Sequence, residues 1–225
     1  MITAVTTCMG RLEHLETTLP LMLEEFERVV MVDWSCPQKS GKWALKQGAE
    51  VVWKTGEKHF NVSRARNLGA RHVQSRTICF LDADTLVMPG LRAEIESLVN
   101  LSSMVIASRN ARNVEIHDLG GFLALDIGHF WGVKGYNELL EGYALEDCFI
   151  RAQLCLERDL KVKRVSPGAI AAIRHSNEYR GKYHKEPIEV SSSRNYAALT
   201  RYLRARGIDD WLTDPRTADV AHRTA

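Results

Sequence analysis

The sequence predicts an α/β fold built on a mixed, mainly parallel central sheet, and two observations support this. Short apolar, β-prone runs alternate with segments of helical spacing through the first hundred or so residues. Four polar candidates, Thr7, Asp33, Asp82 and Asp84, all fall at the carboxyl ends of predicted strands. Open sheets with helices on both faces bind their ligands at those ends.

The elements follow in order. Residues 2–7 read as a strand, followed by a helix to about residue 26; residues 29–33 and 49–53 are the second and third strands. From about 61 to 73, Val62, Ala65, Leu68 and Val73 recur at helical spacing, and residues 77–81 form a fourth strand. Pro89-Gly90 opens a helix through residue 98, and residues 104–107 are a fifth strand. The pattern then changes. Residues 120–125 read as a strand, 128–142 as a loop rich in glycine and aromatics, and 146–156 as a helix that begins at an acidic pair. Short strands at 161–165 and 169–173 precede a polar, basic stretch, 174–189, which reads as a mobile loop. A helix from about 191 to 206 follows, and the end from Asp214 onward is expected to fray. The expected organisation is one domain over residues 1–206, with a nucleotide-binding half (1–118), an acceptor and catalytic half (119–206) and a tail (207–225).

Composition narrows the function classes. With 225 residues and 45% hydrophobic content, the chain can bury one substantial core. A net charge of +2, with Lys and Arg scattered, implies no nucleic-acid partner. No apolar run is long enough to span a bilayer, and no leader pattern precedes the first strand. Peripheral membrane association stays compatible with this. The five cysteines are odd in number and lack metal-ligand spacing, so reduced thiols and a cytoplasmic location are expected.

The most informative run is residues 77–84, an apolar strand that ends in Asp82 and Asp84. Carboxylates at the end of a buried strand are costly unless a positive charge sits against them. A divalent ion suits, since Mg²⁺ or Mn²⁺ often takes only a few protein ligands plus substrate phosphates. On extended backbone the two side chains would project to one side. The plainer reading is a strand-end turn capped by Asp. Glu146-Asp147 open a helix, where acidic capping is the plain explanation, but the Gly142-Tyr143 loop before them favours a partly enclosed site and a general base. His175 ends an apolar strand at the root of the 174–189 loop and is a candidate metal ligand. Arg11, Arg64 and Asn67 could face a nucleotide phosphate, whereas Arg66 and Arg71 read as a solvated helix face. Asp33 could accept from a base or ribose.

Together these segments resemble the GT-A inverting glycosyltransferases of family 2, most closely the β-1,4-galactosyltransferase-like branch with its bacterial chondroitin-polymerase relatives. The matching stretches are Phe60-Asn61 through Gly69, Phe80-Leu81-Asp82-Ala83-Asp84, Gly120 to Leu125, Gly142 to Asp147 and Ile173-Arg174-His175-Ser176. The resemblance implies a Rossmann-like nucleotide-diphospho-sugar transferase fold, with Asp84 and His175 binding Mn²⁺ (or Mg²⁺) and Asp82 contacting the nucleotide. It also implies Asp147 as catalytic base and Glu146 on sugar hydroxyls, with Thr7, Arg11 and Asp33 in the nucleotide pocket. Arg64 and Tyr143 would join the donor site. The implied partners are a nucleotide-sugar donor, UDP-linked, and a carbohydrate or other hydroxyl acceptor, recognised mainly by loops 109–118 and 132–145.

The chain departs from that pattern in several places. Ala144-Leu145 stand where the galactosyltransferases carry two glycines, which stiffens the loop. Ala172 replaces a metal-binding methionine, and Val62 an arginine for which Arg64 would substitute. Two rival readings are a sugar-nucleotide pyrophosphorylase, against which the single glycine of Thr7-Cys8-Met9-Gly10-Arg11 argues, and a non-catalytic nucleotide-sugar-binding subunit.

Overall fold

The computed structural model describes residues 1–109 and 119–218. Seven strands form the main sheet: β1 (Ile2–Cys8), β2 (Arg28–Trp34), β3 (Glu50–Lys54), β4 (Thr77–Phe80), β6 (Ser103–Ile106), β7 (Leu123–Asp126) and β8 (Lys161–Arg164). They lie in the order β3-β2-β1-β4-β7-β6-β8. Strands β3, β2, β1 and β4 are parallel, β7 runs antiparallel to both neighbours, and β6 pairs parallel with β8. This is the mixed, mainly parallel sheet expected.

The helices cover both faces, and the strands show why. Side chains alternate sides along a strand, so Ile2, Ala4 and Cys8 of β1 join one cluster while Val5 joins the other. The first cluster packs under α1 (Leu12–Glu25), α2 (Ser40–Gln47) and α4 (Leu91–Leu98), through Leu15, Leu19, Met22, Ala44, Leu91 and Ile95. The second packs under α5 (Ile127–Gly132), α6 (Glu146–Arg158) and α8 (Ile188–Arg204), through Phe130, Ile150, Leu154, Leu199 and Leu203. Helix α3 (Val62–Ala70) lies against β1 and β2. Both faces being buried, β1 is buried along its whole length.

A separate two-stranded ribbon pairs β5 (Thr85–Val87) with β9 (Ile170–Ala172) antiparallel, with Thr85 opposite Ala172. The sequence reading has no strand at β5 and no helix at α2 or α5. At β5 only three residues are extended, too short for alternation to register. Residues 174–189, expected to be a mobile loop, hold a short helix, α7 (Asn177–Gly181), and the start of α8. The segment docks on the N-terminal half through a ring and its backbone: Arg11 lies over the Tyr179 ring at 3.9 Å, and Phe60 N–H donates to the Tyr183 carbonyl at 2.8 Å. Within the end expected to fray from Asp214, Thr217 is instead buried, and its Oγ1 donates to the Trp211 carbonyl. The acceptor-loop expectation for 110–118 and the last tail residues, 219–225, lie outside the described residues.

Candidate active site

A cavity of about 840 Å³ opens at the carboxyl ends of β1 and β4. Its floor is the turn after β4. Thr85 N–H closes that turn on the Asp82 carbonyl at 3.0 Å, and Thr18 of α1 donates from its buried hydroxyl to the Ala83 carbonyl at 2.7 Å. Asp82 and Asp84 therefore lie around a turn rather than along extended backbone, and they face different partners.

Asp84 meets His175. The ribbon register brings them together: Ile173 N–H donates to the Asp84 carbonyl at 2.9 Å, which sets His175 two residues beyond. His175 Nε2 lies 2.6 Å from Asp84 Oδ2, both side chains mostly buried. His14 stacks on the His175 imidazole at 5.5 Å, and Tyr179 packs on both rings. Burial lowers the pKa of His14, which disfavours a cation against its neighbour.

Asp82 meets Arg66, which also reaches Glu146. The guanidinium donates to Asp82 Oδ1 at 2.6 Å and to Glu146 Oε1 at 3.1 Å, and lies 5.1 Å over the Tyr136 ring. Arg66 is only 3% exposed, so its assignment to a solvated helix face is corrected. The signal was present: Val62, Ala65, Arg66 and Gly69 share the inward spacing of α3. Burial disfavours its charge, but Asp82 and Glu146 outweigh that and hold it well above its ordinary pKa. Burial, then the adjacent Asp147 carboxylate, pushes Glu146 up to about 7 despite Arg66. Asp82 is likewise raised, by burial opposed by Arg66.

Gly121 makes this cluster possible. A Cβ there would overlap Asp82 and Arg66, with Asp82 Cγ only 2.5 Å away. The backbone at this glycine pair is held by fully buried Arg151, whose Nη2 donates to the carbonyls of Gly120 and of Phe122, the latter at 3.2 Å.

Glu146 and Asp147 open α6 and line the cavity, with Asp147 Oδ1 accepting from Cys148 N–H at 2.7 Å. The preceding loop is strained. Gly142 has φ 79°, and Ala144 and Leu145 hold φ 78° and 72°, a region that non-glycine residues rarely adopt. Two non-glycine residues thus follow a glycine-like path, held from α8. Asn195 Nδ2 donates to the carbonyls of Glu141, Tyr143 and Ala144 at 3.2, 3.4 and 3.0 Å, and Ser191 Oγ accepts from Tyr143 N–H at 3.0 Å. The sequence reading missed Asn195, whose polar side chain breaks the helix's buried stripe at only 2% exposure.

The remaining candidates divide. Thr7, Arg11 and Tyr143 line the cavity with Asp82, Asp84, Glu146, Asp147 and His175. Burial lowers the pKa of Arg11, and its Nη1 has no hydrogen-bond partner among the described residues. Arg180 donates to the Tyr143 hydroxyl at 3.2 Å, and burial pushes that phenol up to about 12. Asp33, Arg64 and Asn67 are not brought to the cavity lining. Asp33 is spent on the N–H groups of Cys36 and Gly41, at 2.8 and 2.7 Å, which turn the chain from β2 into α2. Asn67 exchanges hydrogen bonds with the Tyr136 backbone, both at 2.9 Å, and so fixes a turn. Arg64 points outward near Glu138, at 3.9 Å; on α3 it is Arg66, not Arg64, that reaches the acids.

Among the described residues, no three His, Cys, Asp or Glu side chains gather as a metal cluster. Asp84 and His175 nevertheless offer one carboxylate oxygen and one imidazole nitrogen at the cavity wall, a donor set suited to Mn²⁺ with outside ligands. No helix of the described residues is long and apolar enough to cross a membrane.

Comparisons with known proteins agree with this architecture. The mannosyltransferase PcManGT from Pyrobaculum calidifontis, solved with GDP-Man and Mn²⁺, superposes with a TM-score of 0.64 at 11% identity, over 97% of this chain and 73% of its own. Residues 1–349 of S. aureus TarS with UDP-GlcNAc give 0.69 at 14% identity, over 97% and 69%. The chain spans 41% of a longer TarS structure. No curated protein sequence matches it. The family model described as Glycosyl transferase family 2 matches residues 12–144, a span that includes Arg66, the Asp82–Asp84 turn and Gly121. With more than half its length matched and a GT-A-like sheet beneath the site, the chain belongs to glycosyl transferase family 2.

Proposed function

We propose that the chain transfers a hexose from a UDP-sugar to an acceptor hydroxyl, with inversion by single displacement and with Mn²⁺ or Mg²⁺ as cofactor. One observation carries the reading: the Asp84–His175 pair and the Glu146-Asp147 pair, distant in sequence, line a single cavity. The neighbours support the donor class, since one was solved with GDP-Man and Mn²⁺ and another with UDP-GlcNAc.

Asp84 and His175 would hold the ion, which when bound offsets the charge of a departing diphosphate. Arg11 places an unpartnered buried guanidinium nitrogen on the same wall, suited to a phosphate oxygen. Thr7, Asp82 and Tyr143 complete the donor side. Asp147 takes the proton of the acceptor hydroxyl as it attacks. Glu146, anchored by Arg66, orients sugar hydroxyls beside it. The His175–His184 stretch, with Arg180 and Tyr183 on the lining, walls the donor from water.

The test is UDP release from a panel of UDP-sugars and sugar acceptors, with Mn²⁺ and with EDTA, for wild type and Asp147→Asn. Calorimetry should show donor binding little changed in the variant while release collapses by at least about a hundredfold, the low end of a general base's contribution. Undiminished turnover in Asp147→Asn would refute the assignment of the base.

A further inference from the structure

Beside the donor wall of the cavity lies a pair of thiols that this chemistry leaves unused. Cys8 ends β1, and Cys36 sits in the turn after β2. The parallel register sets Cys8 opposite Asp33, and the Asp33 carboxylate draws in the N–H groups of Cys36 and Gly41. That turn brings Cys36 Sγ back to 4.0 Å from Cys8 Sγ. Cys36 Sγ also lies 2.9 Å from Ser40 Oγ and accepts from Gly10 N–H at 3.1 Å, while Cys8 Sγ lies 3.4 Å from Ser40 Oγ.

Three donors can therefore converge on the Cys36 sulfur: an amide, a hydroxyl and a neighbouring thiol. This is an environment for a thiolate. The hydrogen bond from Cys8 leads in pulling Cys36 down to about 5; burial opposes it, and Ser40 and Gly10 add to it. Cys8 is raised, mainly by burial, and keeps its proton. Cys79, buried without such donors, is pushed far up. One member of the pair is thus set up as nucleophile and the other as resolving thiol.

We propose that Cys8 and Cys36 are a modification site at which a hydroperoxide installs a reversible intramolecular disulfide. In the first step the Cys36 thiolate attacks a peroxide oxygen. The S–O bond forms, the O–O bond breaks, and the leaving oxygen takes up a proton as water or an alcohol. In the second step the Cys8 sulfur, giving up its proton, attacks Cys36; the S–S bond forms, the S–O bond breaks and water leaves. The two thiols lose two electrons and the peroxide gains them. The sulfurs must close from 4.0 Å to a bond of about 2 Å. The segment that must move is a turn flanked by Ser35 and Lys39, both held at positive φ outside regular structure.

The disulfide also reaches the cavity. A bonded sulfur is a poorer acceptor, so Gly10 N–H loses its partner. Gly10 turns at φ 73° with its open side against the Tyr183 ring, and Arg11 beside it lines the cavity. Oxidation should therefore weaken nucleotide binding, a consequence that rests on the glycosyltransferase reading while the disulfide itself does not.

The test uses the full chain carrying Cys155→Ser, which removes the most exposed thiol, treated with hydrogen peroxide and read by intact mass and peptide mapping. The expected result is a loss of about 2 Da, a linked Cys8–Cys36 peptide and full reversal by dithiothreitol. Adding Cys8→Ser should leave a Cys36 sulfenic acid that dimedone traps, and adding Cys36→Ser should leave Cys8 unmodified. No loss of about 2 Da, a different cysteine pair in the linked peptide, or trapping at Cys8 in place of Cys36 would overturn the site. Calorimetry with UDP and Mn²⁺ on oxidised and reduced protein is read separately. Equal affinities in the two forms overturn the coupling to the cavity, and no UDP binding in either form overturns the donor reading instead.

Discussion

Gly121→Ala isolates the contact on which the acidic floor depends. The φ of Gly121 lies outside the left-handed region, so an alanine suits the backbone and any cost comes from the added methyl. That methyl would sit 2.5 Å from Asp82 Cγ, where carbon contacts normally keep about 3.5–4.0 Å. The carboxylate must retreat by about 1 Å or more, which breaks a 2.6 Å hydrogen bond to Arg66. Arg66 is buried and cannot follow, because Glu146 and the Tyr136 ring hold its other side. Breaking a buried ion pair costs about 3–5 kcal/mol, but Asp82 is 32% exposed and recovers some solvation, which leaves about 2–3 kcal/mol. For a chain of this size that corresponds to a melting point lower by about 5–10 °C. Urea denaturation should show the shift with an unchanged slope, and the cost should shrink in an Arg66→Met background, where the buried charge is gone. Stability within about 0.5 kcal/mol of wild type would mean that the floor is not held by this contact.

Three further outcomes are expected. His175→Ala should lose at least about tenfold of the Mn²⁺-dependent gain in UDP affinity and leave the metal-free affinity unchanged, as read by calorimetry. Asn195→Ala strands three loop carbonyls and should cost about 1–3 kcal/mol in urea titration, with UDP release falling further than stability explains. Glu146 sits at about 7 when folded against an ordinary 4.5, so its contribution to stability is fully present below about 4.5 and is lost as pH rises through about 7. Urea midpoints measured in EDTA across that window should fall more steeply for wild type than for Glu146→Gln.

What the sequence reveals, and what it hides, follows from how each residue is held. The parallel strands are legible because a strand buried on both faces must be apolar through its middle, as residues 29–32 are before Asp33. The acids at the strand ends stand out against those runs. Asp84 and His175 can be named as partners only through resemblance, since their meeting depends on a ribbon strand three residues long. Arg66 is easily misread despite its inward spacing, because a charged residue on a helix is usually solvated and the two acidic partners that make its burial tolerable lie 16 and 80 residues away. Asp33 has a use that its position does not announce: the backbone N–H groups of Cys36 and Gly41 donate one to each of its carboxylate oxygens. Residues 174–189 look like free loop because their composition is polar, yet Tyr179 and Tyr183 find partners on the first strand's turn and on Phe60. Composition records the solubility of such a segment, not its docking.

The grip of α8 on the loop before Glu146 has a consequence for exchanging parts between relatives. Asn195 and Ser191 impose left-handed angles on Ala144 and Leu145, so the approach to Asp147 is shaped by a helix some fifty residues downstream. A chimera that keeps residues 1–173 and takes its last helix from another transferase would retain most of the named acids and lose their entrance. Installing glycines at 144 and 145 would release the path from that control and let the doorway relax, so redesign of the acceptor side has to begin at the far end of the chain.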